Sequence, residues 1–433
     1  MQLFILADDL TGANDSGVQL SKQGFRSNVW FDASRGEGDR ADVVIYDTDS
    51  RAVQEETAYD RARQAVTFLE NREDVHVYKK MDSTLRGNIG SELKAVSDGY
   101  RPEMVVISPA FPKLKRQTIN GTLFVDGCPV EKTEFGRDPK TPVNESHIPT
   151  LLTGHATGQI QTIDTQLLSR SIPEVKAAVA QALDEGKTWF VCDAETEEHL
   201  KKTASVFASF QKKALWAGSA GLIEYLPDAL GLQPPKEAND ETREIGKTLT
   251  VSASLSGTTK TQLDRVKEMN DVCMLEMDPA DLIQETYDVQ TIVDEVKQKK
   301  EQKHFLLYVD SCEENRKAAE KLSVQLNMDK NQIGEAISRE LGRIARSLLI
   351  EFPAIQGLVL TGGDTAKAVC SELGMDRMEL RSEIEAGLPI GKLSNENSEY
   401  WAVTKAGGFG NEQSLVHALK YMTGEVLEYE SRS

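Results

Sequence analysis

Leu3-Phe4-Ile5-Leu6-Ala7-Asp8-Asp9-Leu10-Thr11-Gly12-Ala13 opens the chain with five apolar residues, two aspartates and a polar turn containing glycine. An apolar run this short, ended by turn residues, reads as a buried strand that feeds a helix. It has no basic residues before it and meets two carboxylates at once, so it reads as a strand rather than a signal peptide. The same unit recurs downstream. Apolar runs at 27–30, 43–46, 75–79, 104–108 and 189–192 alternate with helix-like stretches such as 55–70 and 174–184. Strands that alternate with helices predict an α/β fold with a mainly parallel sheet, whose ligands bind at the loops beyond the strands' carboxyl ends.

At 433 residues the chain exceeds what one core holds, which is roughly 250–300 residues, so two domains are expected. The stretch 232–247, LQPPKEANDETREIGK, pairs two prolines with many charges and reads as a solvated linker. It divides a first domain, 1–231, from a second, 248–433. The second domain restarts the pattern with a strand at 248–254, a glycine turn and a helix from Thr261. Its clearest helix is 331–352, where Ile333, Ile337, Leu341, Ile344, Leu348 and Phe352 recur every three or four residues as one stripe. A strand at 357–360 follows and runs into a glycine turn. The expected fold is therefore two α/β domains, each a mainly parallel sheet flanked by helices, with the active-site cleft between them.

Composition excludes several classes. No run of about 18 apolar residues exists, so no membrane span is expected. Five scattered cysteines without a C-x-x-C pair suit reduced thiols in the cytoplasm, and neither a disulfide framework nor a zinc site. A net charge of −19 repels nucleic acid. A small anionic substrate would need a local group of cations to overcome that field.

Such a group follows the strand at 75–79: Lys79-Lys80-Met81-Asp82-Ser83-Thr84-Leu85-Arg86-Gly87-Asn88. Its cations suit a carboxylate and its hydroxyls and amide suit a polyol; the plain alternative is a solvated turn with Ser83 or Asn88 as a helix cap. Asp8 and Asp9 suit general-base work or Mg²⁺, or else cap the helix that follows. The segment Ser108-Pro-Ala-Phe-Pro-Lys to Gly121 adds Lys113, Lys115 and Arg116 on what reads as a stiff loop. In the second half Ser256-Gly257-Thr258-Thr259, Thr361-Gly362-Gly363-Asp364-Thr365 and Ala406-Gly407-Gly408-Phe409-Gly410 each follow a strand. Glycines let backbone N–H groups approach phosphate, so three such loops suggest a nucleotide site without a Walker A motif. Asp47-Thr48-Asp49 after the strand at 43–46 has the D-x-D layout of a phosphatase, but Arg51 stands where that pattern needs Thr or Val.

Together these segments resemble the four-carbon acid sugar kinase family. The matching pieces are ADDLTGANDSG (7–17), TDSR (48–51), KKMDSTLRGN (79–88), SPAFP (108–112), AGSAGL (217–222), SGTT, LTGGDT (360–365), GLPIGKL (387–393) and KAGGFG (405–410), in family order along nearly the whole chain. The resemblance implies an ATP-dependent kinase acting on the terminal hydroxyl of a C4 sugar acid such as D-threonate, D-erythronate or 3-oxo-tetronate. It implies substrate at Asp9, Arg51, Met81, Asp82, Ser83 and Thr84, and ATP at Ser256, Gly362, Gly363, Asp364, Thr365 and Gly408. Thr258-Thr259 departs from relatives that carry a second serine.

The mechanism expected from these residues has Arg86, Lys80 and Arg51 holding the substrate carboxylate. Asp9 or Asp82 takes the hydroxyl proton, and Mg²⁺ with unassigned ligands accompanies ATP. The Ser83-Thr84 pair with Arg86 two residues on resembles the threonate and erythronate branch of the family. With Asp82 accepting from a C3 hydroxyl, D-threonate is the expected substrate, and D-erythronate or 3-oxo-tetronate are alternatives. Two other classes stay open: a phosphatase using Asp47 and Asp49, and a sugar-acid binding protein without turnover. The expected partner is a small molecule rather than nucleic acid or membrane, and a homo-oligomer stays open.

Overall fold

The computed structural model describes residues 1–31, 39, 41–69, 72, 74–138, 140–235 and 245–425. The chain forms two compact units, Met1–Ala238 and Asn239–Ser433. Most of the linker expected at 232–247 lies outside the described residues; its last residue, Lys247, already begins a strand, Lys247–Ser252.

In the first unit the described strands run Ser27–Trp30, Val43–Asp47, Leu3–Ala7, His76–Lys80, Ala214–Gly218, Met104–Ser108, Lys187–Cys192, Gln159–Ile163 across one sheet. Every neighbouring pair in that series is parallel. Leu3–Ala7 is buried at each position, as expected of a strand covered on both faces. From it the chain turns first to one side and then to the other, so the strand order reverses between Leu3–Ala7 and His76–Lys80. Ala7 is level with Asp47 on one neighbour and Lys80 on the other. The loops that begin at Asp8, Thr48 and Met81 therefore leave the sheet at one height, at the switch point where open α/β sheets bind ligands.

The sequence reading placed most of these strands to within a residue or two. The helix expected at 55–70 is shorter, Glu55–Ala65, followed by a 3-10 turn at Thr67–Leu69. The helix expected from 174 starts at Ile172, because Ser171 and Glu174 form a reciprocal capping box around Pro173. The segment after Ser108 is not a mere loop. It carries a small antiparallel sheet of Arg116–Ile119, Thr122–Val125 and Cys128–Pro129. Its pattern was hidden by prolines and by strands of two to four residues.

In the second unit the series is Val272–Glu276, His304–Tyr308, Lys247–Ser252, Ile355–Thr361, Glu399–Lys405, Pro389–Ser394, Arg377–Glu383. The first five strands are parallel and the last two pair antiparallel. The long helix is Lys330–Glu351, opened by a capping box between Asp329 and Gln332. Ile333, Leu341, Ile344 and Leu348 of its stripe are buried; Ile337 and Phe352 are half-buried. The helix expected from Thr261 begins four residues earlier, at Gly257. No described helix is long and apolar enough to cross a membrane.

Candidate active site

In the first unit, Asp9 is the N-cap of helix Leu10–Ser21, and its Oδ1 accepts from the Gly12 N–H at 2.7 Å. The capping role weighed against function for this residue is thus real, but it occupies only part of the carboxylate. Arg51 arrives from the neighbouring strand end and grips both aspartates. Its Nε and Nη2 donate to the two oxygens of Asp8 at 2.7 and 2.9 Å, and Nη1 and Nη2 donate to Asp9 at 2.5 and 2.9 Å. Asp8 is nearly inaccessible, whereas the Asp9 side chain keeps 23% of its surface. Burial alone would raise the Asp8 pKa, but Arg51, Lys79 and Lys80 hold it below the usual carboxylate range. Gly87, at φ +93°, lets this pair close up: a Cβ there would lie 3.1 Å from Arg51 Cγ and 3.3 Å from Asp8 Oδ2.

The 80–88 loop is fastened just as closely. The Met81 N–H donates to the Gly218 carbonyl at 2.8 Å, and Asn88 Nδ2 donates to the carbonyls of Ser50 and Val53, both at 2.9 Å. Asn88 does stand at the N-cap of helix Ile89–Tyr100, but its side chain makes no cap bond and ties the helix start to the Arg51 loop instead. Asp82 Oδ2 accepts from the Thr84 hydroxyl and from Arg86 Nε at 2.8 Å, and Oδ1 accepts from Arg86 Nη2 at 3.2 Å. Burial opposes its charge, yet Arg51 and Arg86 drive its pKa far below the usual range. Arg86 also reaches Asp138 at 3.3 Å. Lys79 is buried and paired with buried Glu92 at 2.8 Å.

Two cations of this unit are placed differently. Lys80 is buried and donates to the Met81 carbonyl at 2.9 Å, with no carboxylate within ion-pair distance among the described residues. Its Nζ and Asp9 Oδ1 both pack against Gly12, 3.1 and 2.8 Å from where a Cβ would stand. Arg116, on the small antiparallel sheet, donates to the Ser83 hydroxyl. Its companions in the sequence go elsewhere: Lys113 pairs with Glu224 and exposed Lys115 with Asp126. Asp47 is used in a turn, accepting from the Asp49 N–H at 2.9 Å. Asp49 is exposed beside Arg61, so the D-x-D pair does not converge on one pocket as a phosphatase needs.

In the second unit the three glycine loops lie side by side at the strands' carboxyl ends. A Cβ on Gly407 would stand 2.7 Å from Ser254 Oγ and 3.3 Å from Ser256 Cβ, and one on Gly362 would be 4.0 Å from Ser254 Cβ. Ser256 and Gly362 are the N-caps of helices Gly257–Lys267 and Gly363–Glu372, and neither helix start receives a side-chain cap. Their first N–H groups thus remain for an anion. Gly362 has φ +96°, and Asp364 stands in the first turn beside Thr365. Around Gly408 a Cβ would meet nothing within 4 Å. The Thr259 hydroxyl donates to the Gly407 carbonyl at 2.8 Å, so one of the two threonines at the departure from the family pattern braces a loop.

Lys405 was quoted with its motif but given no role from sequence. It is buried, and its Nζ donates to the carbonyls of Ala406, Gly407 and Phe409 at 2.9, 3.1 and 3.1 Å. Burial pushes its pKa down to about 8, with Glu385 opposing. The Phe409 N–H of the same loop donates to the Ala406 carbonyl at 3.1 Å.

A family model described as a sugar-binding N-terminal domain matches residues 3–226, and one described as a nucleotide-binding C-terminal domain matches residues 249–415. The chain is 33% identical to a D-threonate kinase of Salmonella typhimurium over 98% of both chains. It is 29% identical to a D-erythronate kinase of Heliobacterium modesticaldum, over 98% of both. A 3-oxo-tetronate kinase of Methylobacterium radiotolerans is 26% identical, over 98% of this chain and 99% of its own. A solved Salmonella typhimurium structure superposes with a TM-score of 0.80 at 23% identity, covering 96% of this chain and 98% of its own, which supports the fold.

Proposed function

This chain belongs to the four-carbon acid sugar kinase family and phosphorylates a sugar acid with ATP, and on that premise we propose that its substrate is D-threonate, phosphorylated at the C4 hydroxyl. The full-length likeness to a D-threonate kinase carries the substrate reading. The site is compatible with it. Asp82 Oδ1 accepts one hydrogen bond from Arg86, which leaves it able to accept from a C3 hydroxyl; a ketone at C3 offers no donor.

We assign the base to Asp9 rather than Asp82. Burial opposes the Asp82 charge, but Arg51, Arg86 and Thr84 outweigh it, stabilise the anion and weaken it as a base. Asp9 is the more exposed carboxylate, and among the described residues its Oδ2 is bonded only to Arg51. As the C4 oxygen bonds to the γ-phosphorus and the bond to the β,γ-bridging oxygen breaks, the hydroxyl proton passes to Asp9. Lys80, packed with Asp9 against Gly12, places its positive charge at that end of the substrate. Arg51 and Arg86 act through the carboxylates they orient.

Ser256, Gly362, Gly363, Asp364, Thr365 and Gly408 form the proposed ATP site, and the open space at Gly408 fits a phosphate against its backbone. Mg²⁺ would neutralise phosphate charge there, and Asp364 offers a hard oxygen donor suited to it. Gly408→Val is expected to raise the KM for ATP roughly tenfold or more, the worth of one charge-assisted hydrogen bond. Its melting temperature and sugar-acid KM should hold, because a Cβ at this position has no protein atom within 4 Å. A rise in the acid KM instead would remove Gly408 from the nucleotide site. Five free cysteines suit a cytoplasmic location.

The substrate assignment is tested by ADP release with Mg-ATP on D-threonate, D-erythronate and 3-oxo-tetronate. D-threonate should have the highest kcat/KM. Preference for the oxo-acid would sink the Asp82 argument, and turnover of none would sink the kinase reading.

A further inference from the structure

The cations around the proposed sugar-acid site divide by what they touch, and two of them, Lys80 and Arg116, have no carboxylate within ion-pair distance among the described residues. Arg51 is gripped by Asp8 and Asp9, Arg86 by Asp82 and Asp138, and Lys79 by Glu92. These charges already have their counter-ions, and a substrate carboxylate that displaced one would strand a buried aspartate. Arg116 has no carboxylate within ion-pair distance among the described residues. It is half-buried and donates once, to the Ser83 hydroxyl. Its guanidinium lies 5.8 Å from the centre of the Phe135 ring, which also carries Arg86 at 5.4 Å. A hydroxyl and a ring face hold the guanidinium in place without neutralising it. Of its five N–H donors most remain unmatched by protein groups among the described residues, in the flat fork that fits a carboxylate. Ser83 belongs to the same short loop as Asp82 and Thr84, so the fork stands at the proposed sugar-acid site. Burial lowers the Arg116 pKa, with Asp82 opposing and Arg86 reinforcing the fall, as befits a cation short of a counter-ion.

Resting on the sugar-acid kinase reading, we propose that Arg116 binds the substrate carboxylate through its free fork and thereby selects sugar acids over neutral polyols. Arg51 and Arg86, expected from sequence to hold that carboxylate, instead position Asp9 and Asp82. The acid end of the substrate is then at Arg116 and Ser83, and the reacting hydroxyl end at Asp9 and Lys80.

The test compares wild type, Arg116→Gln and Arg116→Lys on D-threonate and on threitol, the neutral tetritol that lacks the carboxylate. Losing a charge-assisted bidentate contact should lower kcat/KM for D-threonate roughly a hundredfold in Arg116→Gln. The loss on threitol should be a few-fold at most, so the preference for the acid collapses, and the KM for ATP should not move. Arg116→Lys, which keeps the charge without the fork, should fall between. Calorimetric titration of D-threonate without ATP should show the same order of affinities. Equal losses on acid and polyol, unfolding of both variants, or a D-threonate kcat/KM within a few-fold of wild type would each overturn the proposal. Failure of wild type on every C4 acid would instead overturn the kinase reading beneath it.

Discussion

Asp9→Asn is expected to lower kcat by about a hundredfold or more while the protein stays folded. Asparagine matches the volume, and its amide oxygen can still accept the Gly12 N–H that Asp9 caps at 2.7 Å. The helix start at Leu10 is therefore kept. What is lost is the anion proposed to take the hydroxyl proton and the charge that faces Arg51. Both KM values should move little, since Asp9 acts chiefly as the proton leaves. Steady-state rates with ATP and D-threonate, beside a circular-dichroism melt, read both halves. Activity within a few-fold of wild type removes Asp9 from the mechanism. A melt lowered by much more than the worth of a helix cap, about 1 kcal/mol, would mean that its work is structural.

The second large effect is on stability. Lys79→Met should cost about 3–5 kcal/mol of unfolding free energy, because it strips the counter-ion from a buried carboxylate. Lys79 and Glu92 are 1% and 2% exposed and 2.8 Å apart. Burial already raises the Glu92 pKa, and the Lys79 charge is the chief force opposing that rise. Without Lys79 the carboxyl would stay protonated in the folded state and ionise on unfolding. A folded pKa above the unfolded one stabilises fully below the unfolded value and is lost as pH rises through the folded value. The deficit of the variant should therefore grow from the ordinary carboxylate range upward. Urea unfolding at pH 5 and pH 8 checks it. A loss under about 1 kcal/mol at pH 8, or one that shrinks with rising pH, would show that the pair is not what holds this layer together.

What could be read along the chain was what local chemistry dictates. The strand at Leu3–Ala7, the cap at Asp9, the glycine turns and the long helix Lys330–Glu351 each follow from residues within one or two turns of one another. The sites could be listed for the same reason, since each loop follows its own strand. The small sheet around Arg116 escaped because strands of two to four residues, interrupted by proline and glycine, carry too little periodicity to recognise. Lys405 passed without a role because one lysine after a strand looks alike whether it faces water or three carbonyls.

The sequence by itself determined an α/β chain with cations and carboxylates in its first half and glycine loops in its second. Only the tertiary structure decided which cations are engaged. Arg51 meets Asp8 across 43 positions, Arg86 meets Asp138 across 52, and Arg116 meets Ser83 across 33. Spacing cannot choose among such partners, because sheet order and loop packing set the distances, and an ion pair depends on distance and burial alone.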